Sequence, residues 1–324
     1  MAAIKSYKGF DKNLKCRDFQ YEIGKEYEMD GEIKVCNRGF HACESPFDVF
    51  DHYTMIDSRF CEVEQDGNIS KKDRGTKICS SKIKIKAELK LDGMINLGVE
   101  WLKEITSPEK IKTSMKDNSS GNYAQIGSSG DYAKIGSSGN YAQIGSSGNY
   151  AQIGSSGNYA QIGSSGDGAK IGSSGNYAQI GSSGDGAQIG SSGYGAKIGS
   201  SGNYAQIGSS GDDAKIGSSG DDAKIGSSGN GAQIGSSGDD AKIGSSGNGA
   251  QIDSTGEGCV IMCAGINSVA KASKGSWITL SEWSYSDKKQ RYIPVCVKTE
   301  FVDGEKIKAD TYYKLDGGVF KEIQ

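Results

Sequence analysis

Proline, histidine and long apolar runs are scarce in this chain of 324 residues. There are 3 prolines and 2 histidines, and no stretch approaches the run of about eighteen apolar residues that a membrane helix needs. So little proline beside 49 glycines excludes collagen and polyproline linkers. A net charge of −3 excludes a large basic footprint for nucleic acid. The sequence therefore predicts no membrane association and no large basic surface for nucleic acid.

Export features are also missing. The first ten residues lack the apolar core of a secretory signal. Eight cysteines occur, five of them in the first eighty residues, which is an odd number for an internally paired framework. Free thiols fit a reducing compartment. We therefore expect the protein in the cytoplasm of the cell that makes it.

A nine-residue unit, Ser-Ser-Gly-x-x-Ala-x-Ile-Gly, runs in fifteen uninterrupted copies from Ser119 to Ile252. A fixed short period predicts a solenoid in which each unit packs on its neighbours. Ala and Ile lie two apart and share one face of an extended segment, and Gly-Ser-Ser-Gly is typical of a turn. One unit cannot enclose a core, so a coil holds two units or three. Two are favoured, which gives seven and a half coils.

Three parts follow, with a mainly β fold overall. They are an α+β N-terminal domain at 1–117, the nonapeptide β-solenoid at 118–258 and a β-rich C-terminal cap at 259–324. In the first part, strands are predicted at 4–10, 20–29, 32–36, 59–64 and 77–89. A helix is predicted at 47–53 and a short helix from Ser107-Pro108. A further helix is indicated by the spacing of Met94, Leu97, Trp101 and Ile105, which would share its buried face. In the cap, strands are predicted at 275–284, 292–301 and 311–315.

Recognition is expected at the three variable positions of the unit, which should face solvent. The first is Asn in eight copies, Asp in six and Tyr194 in one, the second is Tyr, Gly or Asp, and the third is Gln or Lys. Tyrosines in rows on a rigid rod suit a protein interface, although stacked tyrosines can also simply stabilise neighbouring coils. The candidate binding surface consists of Tyr123, Tyr132, Tyr141, Tyr150, Tyr159, Tyr177, Tyr204, Asp212, Asp213, Asp221, Asp222, Asp239 and Asp240.

No motif for catalysis or a cofactor is found. Calcium needs six to eight oxygen ligands, and the second variable position is Asp in only three copies, so a calcium-binding roll is kept only as an alternative. Cys36, His41, Cys43, His52 and Cys61 include no Cys-x-x-Cys pair and match no standard zinc spacing. The sequence therefore predicts a non-enzyme without metal or cofactor.

The two ends of the chain resemble a known family. Tyr7-Lys8-Gly9-Phe10, Cys16-Arg17, Phe19-Gln20-Tyr21 and Gly39-Phe40-His41-Ala42-Cys43-Glu44 are similar to an uncharacterised N-terminal domain of phage and prophage proteins, and 302–315 is similar to the tail of that family. In that family the domain is often followed by short Gly/Ala-rich repeats. The resemblance implies a phage setting but no activity.

These observations lead to one functional hypothesis and two alternatives. The hypothesis is a phage-type binding protein in the host cytoplasm. Its solenoid engages and inhibits a host protein or protein–nucleic-acid complex, such as an antiviral-defence component, with anti-CRISPR action as one candidate. The alternatives are a virion fibre or adhesin-like structural protein, expected as a homo-oligomer, and the calcium-binding roll.

Overall fold

A computed structural model describes residues 3–55, 57–71, 76–106, 118–119 and 121–323. The chain divides into two compact units between residues 101 and 102. Within the described residues, no helix is both long and apolar enough to cross a membrane. The short helix predicted from Ser107-Pro108 falls outside these residues.

The N-terminal unit is built on an antiparallel sheet. The strands of this unit are β1 (Ile4–Phe10), β2 (Lys15–Cys16), β3 (Phe19–Gln20), β4 (Glu26–Glu28), β5 (Phe40–Cys43), β6 (Arg59–Lys71) and β7 (Lys77–Leu89), of which β2 and β3 pair only with each other. The sheet order is β4-β7-β5-β1-β6, and β6 also pairs with β7. That extra pairing closes a ring of four strands around a core that includes Phe10, Val63, Ile83 and Ile85.

Strands β2 and β5 were not predicted, and three of the five predicted N-terminal strands match the structure as β1, β6 and β7. Two predicted strands do not: 20–29 is broken into the short strands β3 and β4, and 32–36 forms a turn with an isolated Lys34–Arg38 bridge. The helix predicted at 47–53 is a 3-10 helix, Phe47–Asp51. Helix α1 (Leu91–Ile105) buries Met94, Ile95, Val99 and Leu102, a face displaced from the predicted one.

Parallel strands repeat along the solenoid. They are β8 (Asn118–Ser119), β9 (Gln125–Ser128), β10 (Lys134–Ser137), β11 (Gln143–Ser146), β12 (Gln152–Ser155), β13 (Gln161–Ser164), β14 (Lys170–Ser173), β15 (Gln179–Ser182), β16 (Gln188–Ser191), β17 (Lys197–Ser200), β18 (Gln206–Ser209), β19 (Lys215–Ser218), β20 (Lys224–Ser227), β21 (Gln233–Ser236), β22 (Lys242–Ser245), β23 (Gln251–Ser254), β24 (Val260–Cys263) and β25 (Val269–Ala272). Strand β8 has two residues and the others four, which read Gln/Lys-Ile-Gly-Ser in β9–β22, Gln-Ile-Asp-Ser in β23 and depart from that pattern in β24 and β25. Even-numbered strands form the first solenoid sheet and odd-numbered strands the second.

Each coil contains two units, as the sequence predicted. Ile135 pairs with Ile153 and Ile144 with Ile162, a register of eighteen residues in both sheets. About nine turns are formed in residues 125–280. At about 4.8 Å per turn the solenoid is about 43 Å long.

Within a unit, Ala, Ile and the first Ser point inward. In every coil the Ile side chains of the repeat are at most 4 % exposed. The turn is therefore Ser-Gly-x-x, because Gly-Ser ends the strand, and this corrects the predicted Gly-Ser-Ser-Gly turn. The Gly of the turn is required by close approach: a Cβ on Gly184 would overlap the carbonyl oxygen of Gly166 in the preceding coil.

The parallel ladder continues past residue 258, where the sequence pattern weakens. Cys259, Ile261 and Cys263 take the inward positions of Ala, Ile and Ser. The elements of the cap are β26 (Trp277–Ser286), β27 (Arg291–Phe301), β28 (Tyr312–Asp316) and β29 (Val319–Ile323). In the first sheet the parallel ladder extends to β26, on which β27 pairs antiparallel, and in the second sheet β28 and β29 add antiparallel strands to β25. Tyr313 and Leu315 join the solenoid core, so the predicted β cap is confirmed.

Candidate functional site

The candidate binding residues lie at the corners of the coils. Each flattened coil has two corners at opposite edges, and successive units alternate between them. The structure therefore places the predicted surface in two separate columns. The first corner carries Tyr123, Tyr141, Tyr159, Tyr177, Asp212 and Asp213; the second carries Tyr132, Tyr150, Tyr204, Asp221, Asp222, Asp239 and Asp240.

Four tyrosines stack on the first corner. We call Tyr123, Tyr141, Tyr159 and Tyr177 the tyrosine column. Successive ring centroids are 5.1, 4.9 and 5.2 Å apart, and the rings are nearly parallel. The side chains are 39–49 % exposed. Because neighbouring rings cover each other's faces, the column presents ring edges and hydroxyl groups to a partner.

Every tyrosine of the column has a left-handed backbone, with φ between 56° and 61°. This conformation costs a residue other than glycine about 1 kcal/mol or more. The three stacked ring pairs stabilise the folded column by about 1 kcal/mol each. Stacking thus roughly offsets the strain, so stability does not explain tyrosine at a position where five other units have glycine.

Tyr194 extends the tyrosine column, although its position in the unit differs. It sits at the first variable position, and its ring contacts Tyr177 edge-on at 5.4 Å. Its hydroxyl donates to Asp213 Oδ2 at 2.6 Å, and this hydrogen bond raises the pKa of Tyr194. The sequence analysis did not include Tyr194 in the binding surface. It could have been noticed because it is the single Tyr at a position that is otherwise Asn or Asp.

The second corner has a shorter aromatic row. Tyr132 and Tyr150 stack at 5.2 Å. Tyr204 stands alone, because Gly186 and Asp222 occupy the same position one coil before and after it. At 62 % exposure it carries left-handed strain without a stacking partner.

Three of the candidate aspartates hold the coils together. Oδ1 of Asp212 accepts the backbone N–H of Asn230 at 2.7 Å, and the Oδ1 atoms of Asp221 and Asp239 accept N–H groups in the next coil in the same way. Asn does this equally well in other units, as Asn158 does for Asn176. Asp or Asn at the first variable position is therefore a structural acceptor.

We expect Asn158→Ala to lower the free energy of unfolding by about 1 kcal/mol, because Asn176 N–H loses its 2.8 Å acceptor. Asn158→Asp is the matched control: it keeps Oδ1, and six units use Asp there, so we expect little change. Urea unfolding of both variants measures the difference. Equal losses would contradict the role of the side-chain oxygen.

The other three candidate aspartates occupy the left-handed position. Asp213, Asp222 and Asp240 have φ of 55–56°, a conformation that Asp tolerates better than most residues. Asp222 Oδ1 lies 3.9 Å from Lys242 Nζ, a weak surface contact. The six candidate aspartates are thus divided between the two corners, and the backbone geometry accounts for them as acceptors or as left-handed residues.

The two solenoid sheets differ in their outer faces. On the first, glycines such as Gly154, Gly172 and Gly190 are exposed beside Gln and Lys side chains and line a shallow groove of about 840 Å³. On the second, Gly163 lies against Thr106, and Lys197 is only 4 % exposed. The prediction that the third variable position always faces solvent is therefore wrong at Lys197.

The cysteine and histidine positions considered for zinc do not form a ligand set. His41 Nε2 accepts the backbone N–H of Cys36 at 2.8 Å. Burial lowers the pKa of His41, with further lowering from Lys77, Lys8 and Arg17. Among the described residues, no group of three His, Cys, Asp or Glu side chains is arranged for a metal.

Comparison with known proteins gives one family. A family described as a domain of unknown function (DUF7666) matches residues 4–97. This match confirms that the N-terminal part contains a domain of an uncharacterised family, and the phage origin stays a prediction. No curated protein and no solved structure matches the chain.

Proposed function

We propose that the protein is a non-enzymatic binding protein that contacts a macromolecule through the tyrosine column and Tyr194. The observation that carries this is four exposed tyrosines held in a left-handed conformation where other units have glycine. Strain retained at an exposed position supports a functional role. Exposed tyrosines are also enriched at the centres of protein interfaces.

The geometry favours a protein surface as the partner. The column is about 15 Å long, summed over the three ring spacings, which exceeds what a small ligand covers. Its ring faces are occupied by each other, so bases cannot stack between them. We therefore favour a host protein, or the protein part of a nucleoprotein complex, contacted by ring edges and hydroxyls.

In full, we propose a phage-type protein that acts in the host cytoplasm and inhibits its target by occupying a surface. An antiviral-defence component is the candidate target. The resemblance of the chain ends to phage and prophage proteins supports the setting, and the rigid repeat supports inhibition by steric cover.

The test replaces all four tyrosines of the column by glycine. Because glycine relieves the left-handed strain and Gly195 already occupies this column, we expect an unchanged far-UV circular dichroism spectrum. Cross-linked capture from host lysate, read by quantitative mass spectrometry, should then lose the partner that the wild type enriches, with at least a tenfold drop.

The matched control is Tyr132→Gly with Tyr150→Gly on the second corner, which should retain that partner. The proposal fails if the four-glycine variant folds and still captures the partner, or if the wild type enriches nothing. Recovery of the protein within purified virions would favour the structural alternative.

A further inference from the structure

A cavity of about 380 Å³ lies within the N-terminal unit. Residues from β1, β2, β5 and the segment after the 3-10 helix meet there. Three cations, Lys8, Arg17 and Lys77, line it. Among the described residues that line it, none is Asp or Glu.

Lys8 is the most unusual of these cations. It is only 4 % exposed, and burial lowers its pKa. Its Nζ donates to His41 O at 3.2 Å and to Cys16 Sγ at 3.4 Å, and it lies 5.2 Å from the ring centre of Phe10. Buried ammonium groups are normally paired with an anion, and no carboxylate contacts Lys8 within the described parts of the chain.

Tyr53 adds a second donor on the same wall. Its hydroxyl donates to Cys16 Sγ at 3.0 Å, and burial raises its pKa, so the hydroxyl keeps its proton. The ring packs directly on Gly9, where any Cβ would overlap it. The donors Lys8 and Tyr53 are therefore matched on this wall by a sulfur atom and a backbone carbonyl oxygen, and no carboxylate lines it among the described residues.

Two residues at this cavity have strained backbones. Arg17 and Cys36 have φ of 55° and 66°. The Cys36 N–H is held by neutral His41, which fixes the turn that carries it. Arg17 is exposed, and its left-handed conformation at a cavity is the kind of strain that clusters at ligand sites.

We propose that this cavity binds a small ligand that combines an oxyanion with a planar ring. Arg17, Lys77 and Lys8 supply the positive charge for the oxyanion, and Tyr21 and Tyr53 supply aromatic walls for the ring. The volume lies in the usual range for ligand pockets and is larger than a bare anion needs. This site is independent of the tyrosine column.

Calorimetric titration of the intact chain tests the proposal, with AMP, benzoate, inorganic phosphate and adenosine as probes. We expect an anion with a ring to bind, inorganic phosphate to bind more weakly and uncharged adenosine not to bind. The pair AMP and benzoate distinguishes a phosphate from a carboxylate ligand. Arg17→Ala and Lys77→Ala should each weaken binding about tenfold, as loss of one charged hydrogen bond does.

Lys12→Ala is the control, because Lys12 is exposed near Arg17 in sequence but does not line the cavity. A bound ligand should also slow alkylation of half-buried Cys16 by iodoacetamide, read by peptide mass mapping. The proposal is overturned if neither AMP nor benzoate binds, if adenosine binds as well as AMP, or if the Arg17 and Lys77 variants bind like the wild type. None of these results bears on the tyrosine column.

Discussion

Gly184→Ala is expected to destabilise the solenoid by about 3 kcal/mol, near the upper end of the usual cost of overpacking. The added Cβ would overlap the carbonyl carbon and oxygen of Gly166 in the preceding coil, and backbone cannot move aside as a side chain can. Adjacent coils would have to separate, which breaks the ladder between them. Thermal unfolding and limited proteolysis within 166–184 should report the loss.

The matched control lies in the same nine-residue unit. A Cβ on Gly190 would meet no atom within 4 Å, because Gly190 faces solvent on the outer side of the first solenoid sheet. Gly190→Ala should therefore stabilise by about 0.4–1 kcal/mol, through the lower entropy of the unfolded chain. Equal effects of the two substitutions would contradict the close approach of the coils.

Removing residues 309–324 is expected to convert the protein into concentration-dependent assemblies. This deletion takes away β28 and β29, including Tyr313, which is 1 % exposed. In the intact protein, strand β25 pairs with β28 through Ala270 and Tyr313. After the deletion β25 would be an unpaired edge strand beside an uncovered core. Unprotected edges template further pairing, so light scattering should show a mass that rises with concentration.

Two point variants separate the contributions to this cap. Tyr313→Ala keeps the hairpin but should cost about 3–5 kcal/mol, the usual loss for a large buried aromatic. Glu322→Ala removes only the exposed ion pair with Lys308 and should change little. A truncated protein that stays monomeric at all concentrations would show that the cap does not protect the edge.

Much of the fold follows from the spacing of Ile and Ala. An Ile at every ninth position, with glycines that allow close coils, predicts a stacked solenoid, whereas the choice of two units per coil over three is settled by the eighteen-residue register of the strands. The extension past 258 was missed because Cys259 and Cys263 replace Ala and Ser, although Gly256 and Ile261 keep the period. The displaced helix face could not be predicted either, since the ring of Phe47 from a distant segment packs at Gly98.

The candidate site was predictable only in part. The tyrosines were found from the sequence, but their division into two columns depends on which units share a corner. The second variable position of the unit holds Gly, Asp or Tyr. This mixture does not suit a strand, and it was the sequence signal for a left-handed backbone at that position. The N-terminal cavity could not be foreseen, because Lys8, Cys16 and Tyr53 come from separate segments that meet only in the folded unit.

A two-unit coil also gives copy number a parity. Excising eighteen residues would shorten the solenoid by one coil and leave every later residue on its own edge. Excising nine would turn everything downstream by half a revolution, so that any tyrosine beyond the cut would move to the opposite edge. Changes in length by recombination between units therefore either preserve the pattern of the two edges or exchange them, depending only on whether the number of units lost is even or odd.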